Sequence, residues 1–400
     1  MPDFNNVGTI VKINDNGRDK KLSAFIVAVI IFLFLDPYFM WSYYSTTPLY
    51  TVLGFCLLLL FIPNVDIKTK GRGSLFILFA LLLLLSILYE RLNVLGALGT
   101  LCLLFLPFAK ERFAKTTYDY FLTIYSIVIG ISGIIWILSI VGVVQSTGVI
   151  PPLNELKSHN YIVYPLLVRP NSIVLLERFC GPFDEPGVIG TISALVLTIG
   201  KFNLKDKRYL TVFITSILTM SFFYYVIVAV YYSIYTLTIS KNKKIGIFVI
   251  ILVSLLVILS LNDDLLKEVL WSRFVWDEDS GSFAGDNRYT DNTKYLLESV
   301  LGTSTFFFGM GKTNDFIKAT AGDASLLNTI VLYGLLFVIL YMYLFAAYGW
   351  RYKKKKITYL LYLFVFVACI YQRPFFFQTE FLFLFSIMAM SCGDLFTTID

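Results

Sequence analysis

The ten-residue segment Arg178-Phe-Cys-Gly-Pro-Phe-Asp-Glu-Pro-Gly187 carries residue types well suited to chemistry. Its two glycines and two prolines predict a compact, turned backbone that brings Arg178, Asp184 and Glu185 close together. An arginine binds phosphate through paired hydrogen bonds and stays protonated, and a carboxylate beside it can act as a general base toward a sugar hydroxyl. The alternative interpretation is a structural Arg–Glu pair that pins the loop.

Two further arginines could complete an anion-binding site. Arg273 and Arg288 fall in a second polar segment downstream, and Arg288 stands in the run Asn-Arg-Tyr-Thr. If arginines from separate segments converge with Arg178, they would clamp a pyrophosphate by charge and by bidentate hydrogen bonds. Taken alone, Arg288 is more often an ordinary loop charge.

Asp323 and His159 are the other candidates for proton transfer. Asp323 follows a glycine just before a hydrophobic run, so it could act as a base or cap the helix that starts near Ser325. His159 is the single histidine of the chain and lies in the polar segment 146–186. A catalytic base is one interpretation of His159, and a solvated loop side chain is the other.

Neither a metal nor another cofactor is expected. A single histidine cannot form a His-based cluster, and four of the five cysteines lie in apolar runs. The acidic run 277–281 resembles the start of a calcium loop, but Ser282 and Arg288 stand where an EF-hand needs glycine and glutamate.

The composition of the whole chain indicates a membrane protein. Hydrophobic residues make up 57% of the 400, charged residues only 15%, and the mean hydropathy is +0.74. Soluble domains average about 25% charged residues, so this chain lacks the polar surface that solubility requires. In lipid every backbone N–H and C=O must be satisfied internally, which long apolar helices achieve. The sequence therefore predicts an all-α polytopic membrane protein.

About twelve hydrophobic runs have a length suited to a transmembrane helix. They are the runs at about 22–41, 47–63, 74–89, 92–109, 118–145, 186–200, 209–222, 223–240, 245–261, 325–349, 357–371 and 378–393. The stretch 209–240 could instead be one broken hairpin. The predicted division is three membrane regions, 1–145, 187–261 and 325–400, separated by two long outer segments, 146–186 and 262–324.

The positions of the basic residues predict the orientation. With the amino terminus in the cytoplasm, every short inner loop is rich in lysine and arginine, as the positive-inside rule requires. Both termini are then cytoplasmic, and both long segments are extracytoplasmic. The run Lys353–Lys356 is interpreted as an anchor at an anionic leaflet, so no nucleic-acid partner is expected. Within the second segment, 265–276 and 294–301 predict short helices at the membrane surface.

These residues resemble the Wzy-type O-antigen and capsular polysaccharide polymerases, within the O-antigen ligase and polymerase superfamily. The resemblance covers roughly residues 120–345. It is carried by Arg-x-x-Gly-x-Phe-x-Glu-Pro before the sixth predicted span, and by Asn287-Arg288, Gly309-x-Gly311, Asp323-x-x-x-Leu327 and Tyr333-Gly334.

The resemblance implies a GT-C-like fold in a bacterial inner membrane. It also implies transfer of a glycan from undecaprenyl pyrophosphate to another lipid-linked repeat unit, with a flippase and a chain-length regulator as partners. Arg178, Arg273 and Arg288 would bind the pyrophosphate, and Glu185, Asp323, His159 or the substrate itself would act as the base. Two alternatives stay open: an O-antigen ligase-type transferase, and a transporter of lipid-linked sugars. The related ligases typically carry a histidine where this chain has Asp323, which favours a polymerase.

Overall fold

The computed structural model describes residues 12–44, 49–66, 72–90, 102–152, 159–171, 178–238, 276–277, 282–283, 291–311, 326–373, 376 and 378–393. Within these ranges the chain is mostly helical, which confirms the predicted helical fold class at that coarse level. The helices are α1 Lys12–Leu33, α2 Trp41–Tyr44, α3 Leu49–Phe61, α4 Arg72–Glu90, α5 Glu111–Ile140, α6 Pro186–Ile199, α7 Lys207–Ile217, α8 Phe222–Thr238, α9 Asp291–Val300, α10 Ser304–Phe308, α11 Leu326–Tyr333, α12 Leu335–Arg351, α13 Lys356–Gln372 and α14 Thr379–Ser391. Short 3₁₀ segments occupy Tyr38–Met40, Ile62–Asn64 and Cys102–Phe108.

Among the described residues, α5 is the one helix long and apolar enough by itself to cross a membrane. It has 30 residues, and its sequence is free of proline. Helices α11 and α12 would add a second span if the pair, bent by 113°, is one broken helix. Shorter apolar helices cover Leu49–Asn64, Pro186–Ile199, Phe223–Tyr235, Lys356–Gln372 and Thr379–Ser391.

Some predicted boundaries were wrong. The run 325–349 is not one straight helix, because it breaks between Tyr333 and Leu335 at Gly334. Helix α1 ends at Leu33 rather than near 41. In the run 92–109 the described part is a 3₁₀ segment with Pro107 inside it, since proline removes an α-helical hydrogen bond.

The first outer segment contains a small antiparallel sheet, which the helical prediction missed. Its strands are β1 Gly148–Ile150, β2 Tyr161–Tyr164 and β3 Leu167–Pro170, in the order β1-β2-β3. Pairing of Tyr164 with Leu167 leaves a two-residue turn between β2 and β3. The second outer segment contributes the short pair β4 Trp276–Asp277 and β5 Ser282–Phe283. Trp276 is therefore in a strand and not at the end of a helix.

Helix α6 lies at the centre of the bundle. Every residue from 189 to 199 is buried, and the helix packs on α7, α8 and α14. The hydroxyls of Tyr118 and Tyr125 on α5 donate to its Val196 and Ile189 carbonyls. Small hydroxyl side chains connect these helices: Ser193 bonds the Tyr125 hydroxyl at 2.9 Å and the Ser216 hydroxyl at 2.6 Å. These hydrogen bonds pair the buried hydroxyl groups of Ser193 and Ser216 within the bundle.

The two ends of the bundle differ in charge. Residues Ser139 at the end of α5 and Arg373 at the end of α13 both lie near the first outer segment, in contact with Arg169 and Glu185 respectively. We call the end of the bundle where α5 and α13 end the loop end, and it also carries Arg178. Helices α5 and α13 begin at the opposite end, the basic end, which carries Lys110, Arg112, Lys115, Lys201, Lys205, Lys207, Arg208, Arg351 and Lys353–Lys356.

Candidate functional site

The motif segment 178–187 forms a tight turn at the loop end. Gly181 has a φ of +56° and its missing side chain leaves room for Ile189, which explains why glycine stands there. The Gly181 carbonyl accepts a hydrogen bond from Val168 N at 2.8 Å, and the Pro182 carbonyl accepts one from Tyr38 N at 2.7 Å. The turn is therefore held between strand β3 and the segment that follows α1.

Glu185 is the N-cap residue of α6, directly before Pro186, and it forms an ion pair with Arg373. The Glu185 side chain is 42% exposed and that of Arg373 is 14% exposed. Gly187 makes the pair possible, because a Cβ there would collide with the Arg373 guanidinium. A solvent-accessible carboxylate is thus oriented by a largely buried cation, at a helix N-terminus that also favours negative charge.

Arg178 is attached to the break between α7 and α8. Its Nε donates to the Thr219 carbonyl at 3.0 Å and its Nη2 donates to the Met220 carbonyl at 3.2 Å. The neighbouring Phe179 N bonds the Leu218 carbonyl at 3.1 Å. Thr219 and Met220 follow the last residues of α7, so this arginine holds the turn between α7 and α8 while fixing the start of the motif.

Tyr161, on strand β2, connects the sheet to the motif. Its hydroxyl donates to the Asp184 carbonyl at 2.6 Å, and its ring packs edge-to-face on Trp41 and on His159, at centroid distances of 5.3 and 5.2 Å. Nε2 of His159 is buried and has no hydrogen-bond partner within the described ranges. His159 is therefore placed by aromatic packing at the sheet and is not simply a solvated loop side chain.

Two glycines downstream, Gly309 and Gly334, which also belong to the residues that carry the family resemblance, are in direct contact. Gly309 has a φ of +82° and Gly334 a φ of +90°. A Cβ on Gly309 would strike the backbone at Leu332–Gly334, and a Cβ on Gly334 would strike the backbone at Phe307–Gly309. Met310 N and Gly311 N then bond the Val331 and Leu332 carbonyls at 2.9 and 3.1 Å. The contact fixes the sharp bend between α11 and α12.

Several predicted site residues lie outside the described residues. They are Asp323, Arg273 and Arg288, together with most of the acidic run 277–281. Within the part of the chain that the structure describes, no three His, Cys, Asp or Glu side chains form a group that could hold a metal ion.

Arg373 is the site residue that sequence reasoning missed. It is 188 positions from Glu185, in the short connection between α13 and α14. The available signal in the sequence was its position, because Arg373 follows the apolar run 357–371 and stands apart from the basic run 351–356.

No protein-family model, curated protein or solved structure matches this chain.

Proposed function

We propose that this chain is an integral membrane glycosyltransferase that polymerises oligosaccharide repeat units carried on undecaprenyl pyrophosphate. The observation that carries the proposal is the pair of Glu185 and Arg373 at the loop end. Its exposed carboxylate can reach a substrate hydroxyl, while the buried guanidinium holds the carboxylate in one orientation. The product would be O-antigen or capsular polysaccharide.

Two features of the surface support a membrane location. On α5 the side chains of Ile127, Ile131, Ile134, Ile137 and Ile140 are all exposed, which suits contact with lipid. The concentration of lysine and arginine at the basic end suits the cytoplasmic side. In this proposal about twelve spans cross a bacterial cytoplasmic membrane, both termini are cytoplasmic, and the loop end faces outward.

The proposed reaction is a displacement at the anomeric carbon of the donor glycan. Glu185 accepts the proton of the acceptor hydroxyl, whose oxygen forms the new glycosidic bond. The bond between the anomeric carbon and the pyrophosphate oxygen breaks, and undecaprenyl pyrophosphate leaves with the electron pair. Positive charge near the leaving group stabilises this step without a metal.

Arginines are the proposed source of that charge. Arg178 would bind the anion while it keeps its hydrogen bonds to the Thr219 and Met220 carbonyls. A guanidinium has five N–H donors, which is enough for both sets of bonds. Arg273 and Arg288 are the other proposed ligands of the pyrophosphate. Asp323 and His159 remain alternative bases.

Surface-glycan electrophoresis tests the proposal. A deletion strain is complemented with wild type, Glu185→Gln, Arg178→Ala or Glu298→Gln at matched membrane levels. Glu298 is an exposed carboxylate in α9, so its variant controls for loss of one acidic charge in an outer segment. We expect single repeat units in the deletion strain, with the ladder restored by wild type and Glu298→Gln but not by the other two variants.

Other outcomes identify the alternatives. Long polymer left on undecaprenyl pyrophosphate in the deletion strain would indicate a ligase. Repeat units that accumulate on the cytoplasmic side would indicate a transporter. A complete ladder with Glu185→Gln would remove Glu185 from the proposed mechanism.

A further inference from the structure

Helix α7 is too short to cross a membrane. It has 11 residues and begins with a lysine and an arginine, so its uncharged part is limited to 209–217. At 1.5 Å per residue the whole helix is about 16 Å long, whereas the hydrocarbon layer of a bilayer is about 30 Å thick. The predicted span 209–222 therefore needs another explanation.

Helix α7 runs parallel to α5 and starts at the basic end. The Arg208 Nη1 donates to the Thr123 hydroxyl at 3.2 Å, and further along Thr215 lies against Gly133. Gly133 is about 10 Å before Ile140, the last residue of α5. Above that level α5 still exposes apolar side chains, including that of Ile140. Helix α7 therefore stops well inside the apolar layer that α5 crosses.

Helix α8 returns to the basic end. The Tyr224 hydroxyl donates to the Phe213 carbonyl at 3.1 Å, so α8 starts alongside the last turns of α7. The ring of Tyr231 then packs on Phe202, in the basic connection between α6 and α7, at a centroid distance of 5.5 Å. In the sequence a basic run, 241–244, follows α8 just as one precedes α7. The two helices thus form a hairpin with both ends at the basic end.

The turn at the tip of this hairpin, residues 218–221, lies inside the protein. Thr219 and Ser221 are buried, and Ser221 packs against Gly190 of α6, where a Cβ would collide with it. Met220 has a φ of +47°, in the left-handed region that residues other than glycine rarely enter. The tip therefore stops beside the first turns of α6 and does not extend to the end of α5.

A turn inside a membrane needs protein donors for its backbone carbonyls, because no water is present to bind them. The motif supplies these donors. The Arg178 side chain donates to the Thr219 and Met220 carbonyls. The Phe179 amide donates to the Leu218 carbonyl at 3.1 Å. The motif and the tip of the hairpin thus stabilise each other.

The Thr219 side chain fixes the shape of the turn. Its hydroxyl accepts a hydrogen bond from Ser221 N at 3.2 Å and donates to the Ser216 carbonyl at 2.7 Å. The Ser216 hydroxyl in turn bonds the Ser193 hydroxyl of α6 at 2.6 Å. Because the Thr219 carbonyl is also the acceptor for Arg178 Nε, the orientation of the guanidinium depends on this turn.

We infer that α7 and α8 form a re-entrant hairpin, which enters the membrane from the basic end and turns back inside it, and that Thr219 is a positioning residue for Arg178. This inference rests on the membrane location and the role of Arg178 in the proposed function. Two of the predicted spans, 209–222 and 223–240, then do not cross the membrane. Because both are removed together, the orientation of the other spans is unchanged.

Labelling with a membrane-impermeant maleimide tests where the hairpin ends. Thr238→Cys at the end of α8 and Val143→Cys after α5 place exposed thiols at the two ends of the bundle, and wild-type protein supplies the blank for the native cysteines. We expect Val143→Cys to be labelled in intact cells, and Thr238→Cys to be labelled after permeabilisation. Labelling of Thr238→Cys in intact cells would overturn the hairpin.

Spin-label accessibility in lipid vesicles measures the depth of the tip. Nitroxide labels are attached to Leu210→Cys, Ile217→Cys and Val143→Cys, whose native side chains are all exposed. Collisions with oxygen report hydrocarbon, and collisions with a water-soluble nickel chelate report water. We expect the label at position 217 to be deeper than the label at 210 and protected from the chelate. Chelate collisions at 217 equal to those at 143 would show that α7 reaches the outer surface, which overturns the re-entrant hairpin.

Thr219→Val tests the positioning role, because valine keeps the shape of threonine and removes its hydroxyl. Thr215→Val is the matched control, since Thr215 is also buried and its described hydrogen bonds stay within α7. We expect similar melting temperatures for the two variants. The kcat/KM for the lipid-linked donor should fall about 10-fold or more in Thr219→Val alone, and Thr219→Ser should restore it. Equal kcat/KM for the two valine variants would overturn the positioning role.

The hairpin and the proposed function can fail separately, because labelling and depth do not depend on glycan transfer. A label at 217 that is open to water, with a ladder that still depends on Glu185, contradicts the hairpin and leaves the polymerase. A deep label at 217 without glycan transfer by the wild type contradicts the polymerase, and the positioning role with it, and leaves the hairpin.

Discussion

The backbones of Gly309 and Gly334 lie directly against each other, so neither residue can carry a side chain without displacing the main chain of the other. Both have positive φ, a conformation that only glycine adopts readily. Their contact joins the segment after α10 to the bend between α11 and α12. The contact therefore fixes α12 beside the segment that follows α10.

Replacing either glycine with alanine should destabilise the protein strongly. For Gly309→Ala and Gly334→Ala we expect losses of about 2 kcal/mol or more, from backbone strain plus the backbone collision. Gly148→Ala is the matched control, because a Cβ at Gly148 meets nothing within 4 Å and φ there is not positive. Thermal melting in detergent is the measurement. A melting temperature of Gly309→Ala equal to that of Gly148→Ala would contradict the contact.

The ion pair of Glu185 and Arg373 should behave as one functional unit. We expect Glu185→Gln to lower the polymerisation rate by about 100-fold or more, the range typical of a lost general base. Arg373→Ala should cause a similar loss, and the double variant should be little worse than either single variant. Rates of repeat-unit transfer in purified, reconstituted protein would measure this. Multiplied losses in the double variant would mean that the residues act independently.

Gly187→Ala should disturb the same pair without removing a charge. The added methyl would collide with the Arg373 guanidinium, so that group must shift from its present position beside Glu185. We expect reduced transferase activity with a smaller loss of stability than Gly309→Ala causes, because a side chain can move more easily than a backbone. Activity and melting temperature are measured on the same preparation. Wild-type activity of Gly187→Ala would show that the position of the guanidinium is unimportant.

The basic end offers a prediction about pH. Asp206 caps α7 by accepting from Arg208 N at 2.9 Å and pairs with the Arg208 guanidinium at 2.7 Å. The hydrogen bonds from Arg208 lower the pKa of Asp206 below its usual 3.8. A lowered pKa in the folded state stabilises the protein fully above the unfolded value, and the contribution is lost as pH falls through the folded value.

We therefore expect Asp206→Ala to cost about 1 kcal/mol at neutral pH, as a lost N-cap typically does. The difference from wild type should shrink below pH 3.8, where the carboxylate of Asp206 becomes protonated. Melting curves of both proteins at a series of pH values provide the comparison. A constant difference down to the lowest pH would mean that the charge of Asp206 contributes nothing.

The sequence by itself determined the features that depend on neighbouring residues. Long apolar runs predicted helices such as α5 and α13, because a helix satisfies its own backbone hydrogen bonds wherever it packs. Glycine and proline predicted the turn at 178–187, since their backbone preferences are local. The short helix near 294–301 was likewise predicted from its amphipathic pattern and is confirmed as α9.

Only the tertiary structure decided which distant residues meet. Arg373 is the partner of Glu185 because α6, α13 and α14 end or begin at one place, and no local pattern records that meeting. The break at Gly334 was missed for the same reason, since one glycine in an apolar run is compatible with a continuous helix. Its bend becomes visible only through the backbone of Gly309, 25 positions away along the chain but in direct contact in space.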